Sequence, residues 1–375
     1  MRAYVYTDKS LERYAGQFVW LSVNTESPKN AAFLKRYPIP ALPTLLVLNS
    51  EGAVTTRYVG GATVPQLTKL LDDSKPRTAT VSESDKLLTQ ADRLAAEGKH
   101  GEAVKAYESA LAKSAKNWRK YGRTAESMLF SMSMDDQNEP CATRALEIYP
   151  RVKGSSSAAN VAATGLSCAL SLDEKNTKRA ELAASLEKAT REVFDDPKIA
   201  MSHDDRSGLY IALIDARKDA KDEQGATELT KQWAAFLEKA AAEAKTAEQR
   251  AVYDSHRLSA YLDLGTPEKA IPMLEQSQRD FPGDYNPPAR LAIAYKAMKE
   301  YDKALAASER AVVKVYGPRK LTVLSTRADI YMEKGDKEAA RATIAMAIEY
   351  AKSLPEGQRS ERRIASLERR LASIQ

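Results

Sequence analysis

The chain has 375 residues, 43% of them hydrophobic and 29% charged, which is too long for one ordinary core and has the balance of soluble globular domains. No apolar run reaches the length of a membrane span. The net charge of +6 comes from 57 basic and 51 acidic residues interleaved along the chain, a pattern of solvated helix faces that excludes a nucleic-acid footprint.

From the N-terminus, short β-rich runs alternate with short helical ones. "FVWLSV" (18–23) reads as a strand covered on both faces. "SPKNAAFLKRY" (27–37) reads as a helix, with Ser27 as N-cap and Pro28 at the first position. "TLLVL" (44–48) is a second buried strand, "NSEG" a turn, and "AVTTRYV" (53–59) a third strand ended by Gly60 and Gly61. "VPQLTKLLDD" (64–73) has the spacing of a short amphipathic helix. The expectation is an α/β layer over 1–73. The polar stretch 74–84, containing Pro76, reads as a linker to an all-helical domain over 85–375.

The segment "YPIPALPTLLVL" (37–48) resembles a run that precedes a central strand in the thioredoxin family, matched here by Tyr37, Ile39, Leu42, Pro43 and Thr44. The later hairpin, the glycine pair and the 64–73 helix follow in that family's order. The resemblance covers about residues 1–73 and implies that Pro43 is the cis-proline of that fold, stiffened by Pro38 and Pro40. It also implies that Leu42, Pro43 and Thr44 bind extended peptide through their backbone. The family's chemistry needs a C-x-x-C at a helix start, and this chain has none. Met1, Val5, Tyr6, Thr7 and Asp8 resemble the tail of that motif. The expectation is therefore a truncated chain with the cysteines a few residues ahead of Met1. The alternative is a thioredoxin-like remnant kept for docking.

Beyond residue 85 the text repeats. Aligning Ala103, Ala270, Ala304 and Ala340 places Ala91, Leu258, Ala292 and Ala328 twelve residues upstream. Leu94, Tyr261, Tyr295 and Tyr331 then fall nine upstream, and Ala110, Ser277, Ala311 and Ala347 seven downstream. Small residues at fixed positions let paired helices approach closely, and large ones fill the gaps between pairs. The pattern resembles the tetratricopeptide repeat. The stretch 117–250 is helical but degenerate, with divergent units at 122–150 and around Ala226, and 153–160 reads as a loop or helix start. Six to eight hairpins in all form a solenoid with a concave face.

That face is expected to hold a protein or peptide partner. Its inner positions include Ser255, Ser259, Leu262, Ala289, Ser325 and Met332, with Asn286, Ile293, Lys296 and Asp329 as binding candidates. Only Asn286 and Lys296 suit the carboxylate-clamping version of the repeat, and at mismatched positions. "RSERRIASLERRL" (359–371) reads as an amphipathic terminal helix. Cys141 and Cys168 read as two free buried thiols or as one disulfide between neighbouring helices.

No hydrolase or nucleotide-binding motif is present, and Asp135/Asp136 and Asp204/Asp205 read as capping carboxylates. His100, His203 and His256 lack metal-ligand spacing, so no metal or cofactor is expected. The chain as given has no catalytic residue to name. The functional expectation is a peptide-binding scaffold whose full-length form takes part in thiol–disulfide exchange, with a purely non-catalytic repeat scaffold as the alternative. No apolar leader opens the residues given. The compartment stays open between the cytoplasm and, with a signal peptide further upstream, the bacterial periplasm. The oligomeric state is not legible.

Overall fold

The computed structural model describes residues 1–75 and 81–374. They form two units, one of residues 1–15 and 37–229, the other of residues 16–36 and 230–375. Residues 76–80 of the expected linker lie outside the described residues.

The first unit opens with a 3-10 helix (Lys9–Tyr14), whose Asp8 cap accepts from the Ser10 N–H. Strands β1 (Thr44–Leu48) and β2 (Val54–Val59) then pair antiparallel from Thr44↔Val59 to Leu48↔Val54, with an irregularity at Val47/Leu48. The turn between them is held by Asn49, whose side chain accepts from Glu51 N–H at 3.1 Å and Ala53 N–H at 2.8 Å. Helix α2 (Val64–Ser74) starts with a reciprocal Thr63/Gln66 capping box. Its side is closed by Tyr14, which donates to the Thr68 carbonyl at 2.9 Å.

Of the α/β layer expected over 1–73, the structure shows a two-stranded antiparallel sheet followed by α2. Among the described residues the sheet has two strands only, and every residue of β1 is half-buried rather than covered on both faces. Residues 18–23 are not a strand. A strand needs a neighbour's backbone, among the described residues no strand pairs with this run, and Val19 and Leu21 are 88% and 76% exposed. The run and the helix after it, a 3-10 turn (Pro28–Asn30) continuing as α1 (Ala31–Arg36), belong to the second unit.

The remainder of the first unit is helical: α3 (Glu83–Ala96), α4 (His100–Ala112), α5 (Tyr121–Met134), α6 (Asn138–Val152), α7 (Ser157–Leu170), α8 (Arg179–Asp195) and α9 (His203–Asp219). The division between units falls within α10 (Glu223–Ala242). The second unit continues with α11 (Ala247–Ala251), α12 (Asp254–Asp263), α13 (Ala270–Asp280), α14 (Asn286–Ala297), α15 (Tyr301–Val312), α16 (Arg319–Lys334), α17 (Lys337–Ser353) and α18 (Glu361–Ser373).

The alanine register marks the hairpins α3/α4, α12/α13, α14/α15 and α16/α17. Ala91, Ala103, Ala110, Ala270, Ala304, Ala311, Ala328 and Ala340 are all 0% exposed, so a side chain larger than a methyl would force each pair apart. One turn closes all four. A residue with positive φ (Gly98, Gly265, Lys299 or Gly335) ends the first helix. The next N–H (Lys99, Thr266, Glu300 or Asp336) donates back to the carbonyl of Leu94, Tyr261, Tyr295 or Tyr331 at 2.8–2.9 Å. This is the Schellman motif. The same turn recurs at Asp136 and Lys221, with Gln137 N–H donating to Met132 at 2.9 Å and Asp222 N–H to Arg217 at 2.8 Å. The pairs α5/α6 and α9/α10 are therefore built on the same plan, whereas α7/α8 has a longer connection.

Cys141 stands five residues after Asp136, where the four aligned hairpins have alanine. It forms a disulfide with Cys168 of α7, the two Cα atoms being 6.1 Å apart. The reading as two free thiols gives way to its alternative, because α6 and α7 pack side by side.

Candidate peptide-binding surfaces

In the first unit the Leu42–Pro43 peptide bond is cis. The Thr44 hydroxyl donates to the Ala41 carbonyl at 2.7 Å, and the Pro43 carbonyl accepts from Gly60 N–H at 2.9 Å. Leu42 is left 57% exposed at the tip of the loop.

Beside it, β2 docks on the helices through a buried polar knot. Asp92 of α3 is fully buried and accepts from the Arg57 N–H at 3.1 Å, the Tyr107 hydroxyl at 2.8 Å and Arg123 Nη1 at 2.9 Å. The same Arg123 nitrogen donates to the Arg57 carbonyl at 3.0 Å. Burial pushes the Tyr107 phenol up, so it stays a donor. A cavity of about 470 Å³ opens between α2 and the starts of α5 and α7, lined by Lys69, Trp118, Arg123 and Glu126. Burial pushes the Glu126 carboxyl up to about 7, against hydrogen bonds from Ser157 and Asn160 that favour its ionised form. The cations facing the cavity are largely spent on the chain itself. Lys69 donates to the Arg119 carbonyl at 2.5 Å, and Arg151 donates to Ala115 and Lys116 carbonyls at 2.9 and 3.1 Å.

In the second unit, the four binding candidates named from sequence are only partly free. Lys296 pairs with Glu333 at 2.9 Å. Asp329 pairs with Arg370 of α18, whose Ile364 and Leu367 are buried in the core of α16 and α17. The Asn286 amide donates to Asp284 at 2.8 Å. Ile293 is half-buried on α14. The structure does not bring these four side chains together as one pocket.

What the second unit does hold is a turn of its own chain, residues 24–27, closed by the Ser27 N–H on the Asn24 carbonyl at 3.3 Å and the Glu26 N–H on Asn24 Oδ1 at 2.9 Å. Three connections between successive hairpins take part: the starts of α14 and α16 and the α17–α18 loop. These are equivalent places in successive repeats, so they form one edge. The Gln358 side chain, 8% exposed, donates from Nε2 to the Thr25 carbonyl at 2.8 Å and to the Ser27 carbonyl at 3.1 Å. The Glu26 carboxylate accepts from the Tyr285 hydroxyl at 3.0 Å and lies 3.5 Å from Arg319 Nε. Burial pushes this carboxyl up, against both partners. Asn24 Nδ2 donates to the Tyr316 hydroxyl at 2.7 Å.

Two glycines allow the approach. A Cβ on Gly317, at φ +61°, would stand 2.0 Å from the Glu26 carbonyl, and one on Gly357 would stand 2.1 Å from that of Ala31. Sequence reasoning missed this edge. Its residues come from loops with no periodicity, and its main contacts are to main chain; the one local signal is a glycine in each of the connections at 317 and 357.

Residues 321–353 match the family model of the tetratricopeptide repeat; that stretch is α16/α17, a hairpin of tetratricopeptide type. Two solved structures are similar to the chain. One is a tetratricopeptide repeat protein from Parabacteroides merdae, 11% identical, covering 77% of this chain and 99% of that one, with a TM-score of 0.47. The other is a thermophilic TPR protein from Thermus thermophilus, 16% identical, covering 78% and 98%, with a TM-score of 0.27. No curated protein matches the chain. Among the described residues no helix is long and apolar enough to cross a membrane, and no three side chains are grouped to hold a metal ion.

Proposed function

We propose that the chain is a protein-interaction scaffold whose C-terminal repeats bind short polypeptide segments along the edge formed by their connecting loops. The observation that carries this is the hold on residues 24–27, in which one buried glutamine reads two main-chain carbonyls while a tyrosine and an arginine take the side chain between them. Main-chain recognition of this kind suits many sequences, as an interaction scaffold requires.

Ile293 and Lys296 on the inner face, with Asn286 and Asp329 beside them, are proposed as flanking contacts. The Leu42–Thr44 loop is proposed as a separate one. The order β1, β2, α2 supports reading 44–74 as the closing part of a thioredoxin-like layer over 1–73, with 85–375 as the repeat domain. The chain's two cysteines are bonded to each other between α6 and α7, so thiol–disulfide exchange is assigned only to a longer form.

The test is a photoreactive peptide of residues 22–30 incubated with the intact chain. Cross-links mapped by mass spectrometry are expected at 281–285, 313–319 and 354–360. Cross-links scattered over the other helices would defeat the reading.

A further inference from the structure

The first unit holds a cavity that the peptide-binding reading does not use. We propose that this space, between α2 and the starts of α5 and α7, binds a small organic oxyanion, a carboxylate or a phosphate monoester on an apolar body.

The charge of the lining points to an anion. Six basic side chains, Lys69, Lys116, Arg119, Lys120, Arg123 and Arg151, face the cavity against two carboxylates, Asp73 and Glu126. Two of the six are neutralised from outside it: Lys120 pairs with Asp85 and Arg123 with Asp92, each at 2.9 Å. Lys69 and Arg151 donate to main-chain carbonyls, which fix a cation in place without cancelling its charge. Lys116 and Arg119 are exposed, and among the described residues neither is paired with a carboxylate. Burial, and after it Arg119 and Arg123, hold the Lys69 ammonium below its usual value, against Asp73 and Glu126. An anion placed among these cations relieves their mutual repulsion.

The size and the remaining walls point to an organic one. At about 470 Å³ the cavity has the volume of a small-molecule site. Ala62, Leu70 and Val152, all buried, line it together with the rings of Trp118 and Tyr121. Arg151 lies over the Tyr121 ring, 3.5 Å from its centroid, so its guanidinium is already oriented. An inorganic ion leaves the apolar walls wet, whereas an apolar body covers them.

Glu126 couples this site to protons. The charged and titratable groups around it are Arg123 of its own helix, Lys69 of α2, Tyr58 of β2 and Asp205 of α9, and it accepts from Asn160 of α7 at 3.1 Å. An anion entering the cavity repels the ionised carboxylate and favours the protonated one. The ligand therefore binds more tightly on the acid side of neutrality, where Glu126 already carries its proton.

The experiment is isothermal titration calorimetry of the intact chain with benzoate and with phenyl phosphate, phenol serving as the uncharged control. Phenol is expected to bind at least about tenfold more weakly than the better oxyanion. Lys116→Ala/Arg119→Ala changes two exposed side chains and is expected to weaken that oxyanion about tenfold. Benzoate stays ionised at about pH 6 and about pH 8, so any difference in its binding between them belongs to the protein. Glu126→Gln is expected to bind benzoate several-fold more tightly than wild type at the higher pH and to remove the difference.

Binding of one oxyanion and not the other supports the site and fixes its head group. Phenol binding as well as both oxyanions would overturn the anion reading. Oxyanion binding that ignores both the Lys116/Arg119 variant and Glu126→Gln would place the anion elsewhere and overturn the assignment to this cavity. No binding of either oxyanion to wild type or to Glu126→Gln would overturn the site itself.

Discussion

Replacing Asp92 with alanine removes the acceptor at the centre of the first unit's polar knot. The Arg57 N–H and the Tyr107 hydroxyl lose their partner, and Arg123, only 14% exposed, keeps its charge with the Arg57 carbonyl alone. Breaking a buried ion pair by deleting one side costs roughly 3–5 kcal/mol, because the other charge stays buried. Tyr107→Phe deletes one neutral hydrogen bond and should cost about 1 kcal/mol. The two share Asp92, so the double variant should cost less than the sum, by about 1 kcal/mol. The assay is urea unfolding followed by circular dichroism. Hydrogen exchange assigns the loss to α3–α5, which a chain of two units requires. An Asp92→Ala cost below about 1 kcal/mol, or strict additivity with Tyr107→Phe, would show that β2 is held on the helices by something other than this knot.

Lys299 sits at φ +60° where three sister hairpins have glycine. Lys299→Gly should raise stability by about 0.5–1 kcal/mol, the left-handed penalty less glycine's greater entropy loss, while Gly335→Ala should lower it by about 1 kcal/mol; urea midpoints check both. Glu126 has its folded pKa raised to about 7 by burial. Its contribution is therefore fully present below the ordinary carboxylate pKa and is lost as pH rises through about 7; Glu126→Gln should flatten the fall in melting temperature over that window. Reduction of Cys141–Cys168 frees a loop of 27-residue separation and should cost about 3–4 kcal/mol on the chain-entropy estimate. A melting temperature unmoved by reductant, in a chain whose mass confirms the bond, would contradict this.

The repeats were legible because close helix approach demands small residues, and eight of the aligned alanines are indeed sealed. The degenerate stretch was not, because Asp136 and Lys221 make the same turn as glycine by carrying a side chain at positive φ; residue type alone hides it. "FVWLSV" has strand composition, yet among the described residues no strand pairs with it, and composition cannot supply one. The disulfide needed two helices side by side, a distance that spacing does not give. Of the candidate residues, Lys296 and Asp329 lie on α14 and α16, and their charges are taken by Glu333 and Arg370. The loop edge was out of reach because main-chain carbonyls have no letter in a sequence.

The Cys141–Cys168 bond bridges a hairpin's closely packed seam and the helix that follows it. A stack of hairpins pulled at its two ends peels hairpin by hairpin, each adding its contour length to the tether. Here the staple withholds the 27-residue separation between the two cysteines, on the order of 90 Å of extended chain. Under load the stapled helices act as a fixed link in an otherwise extensible spring, and a reductant converts that link back into slack.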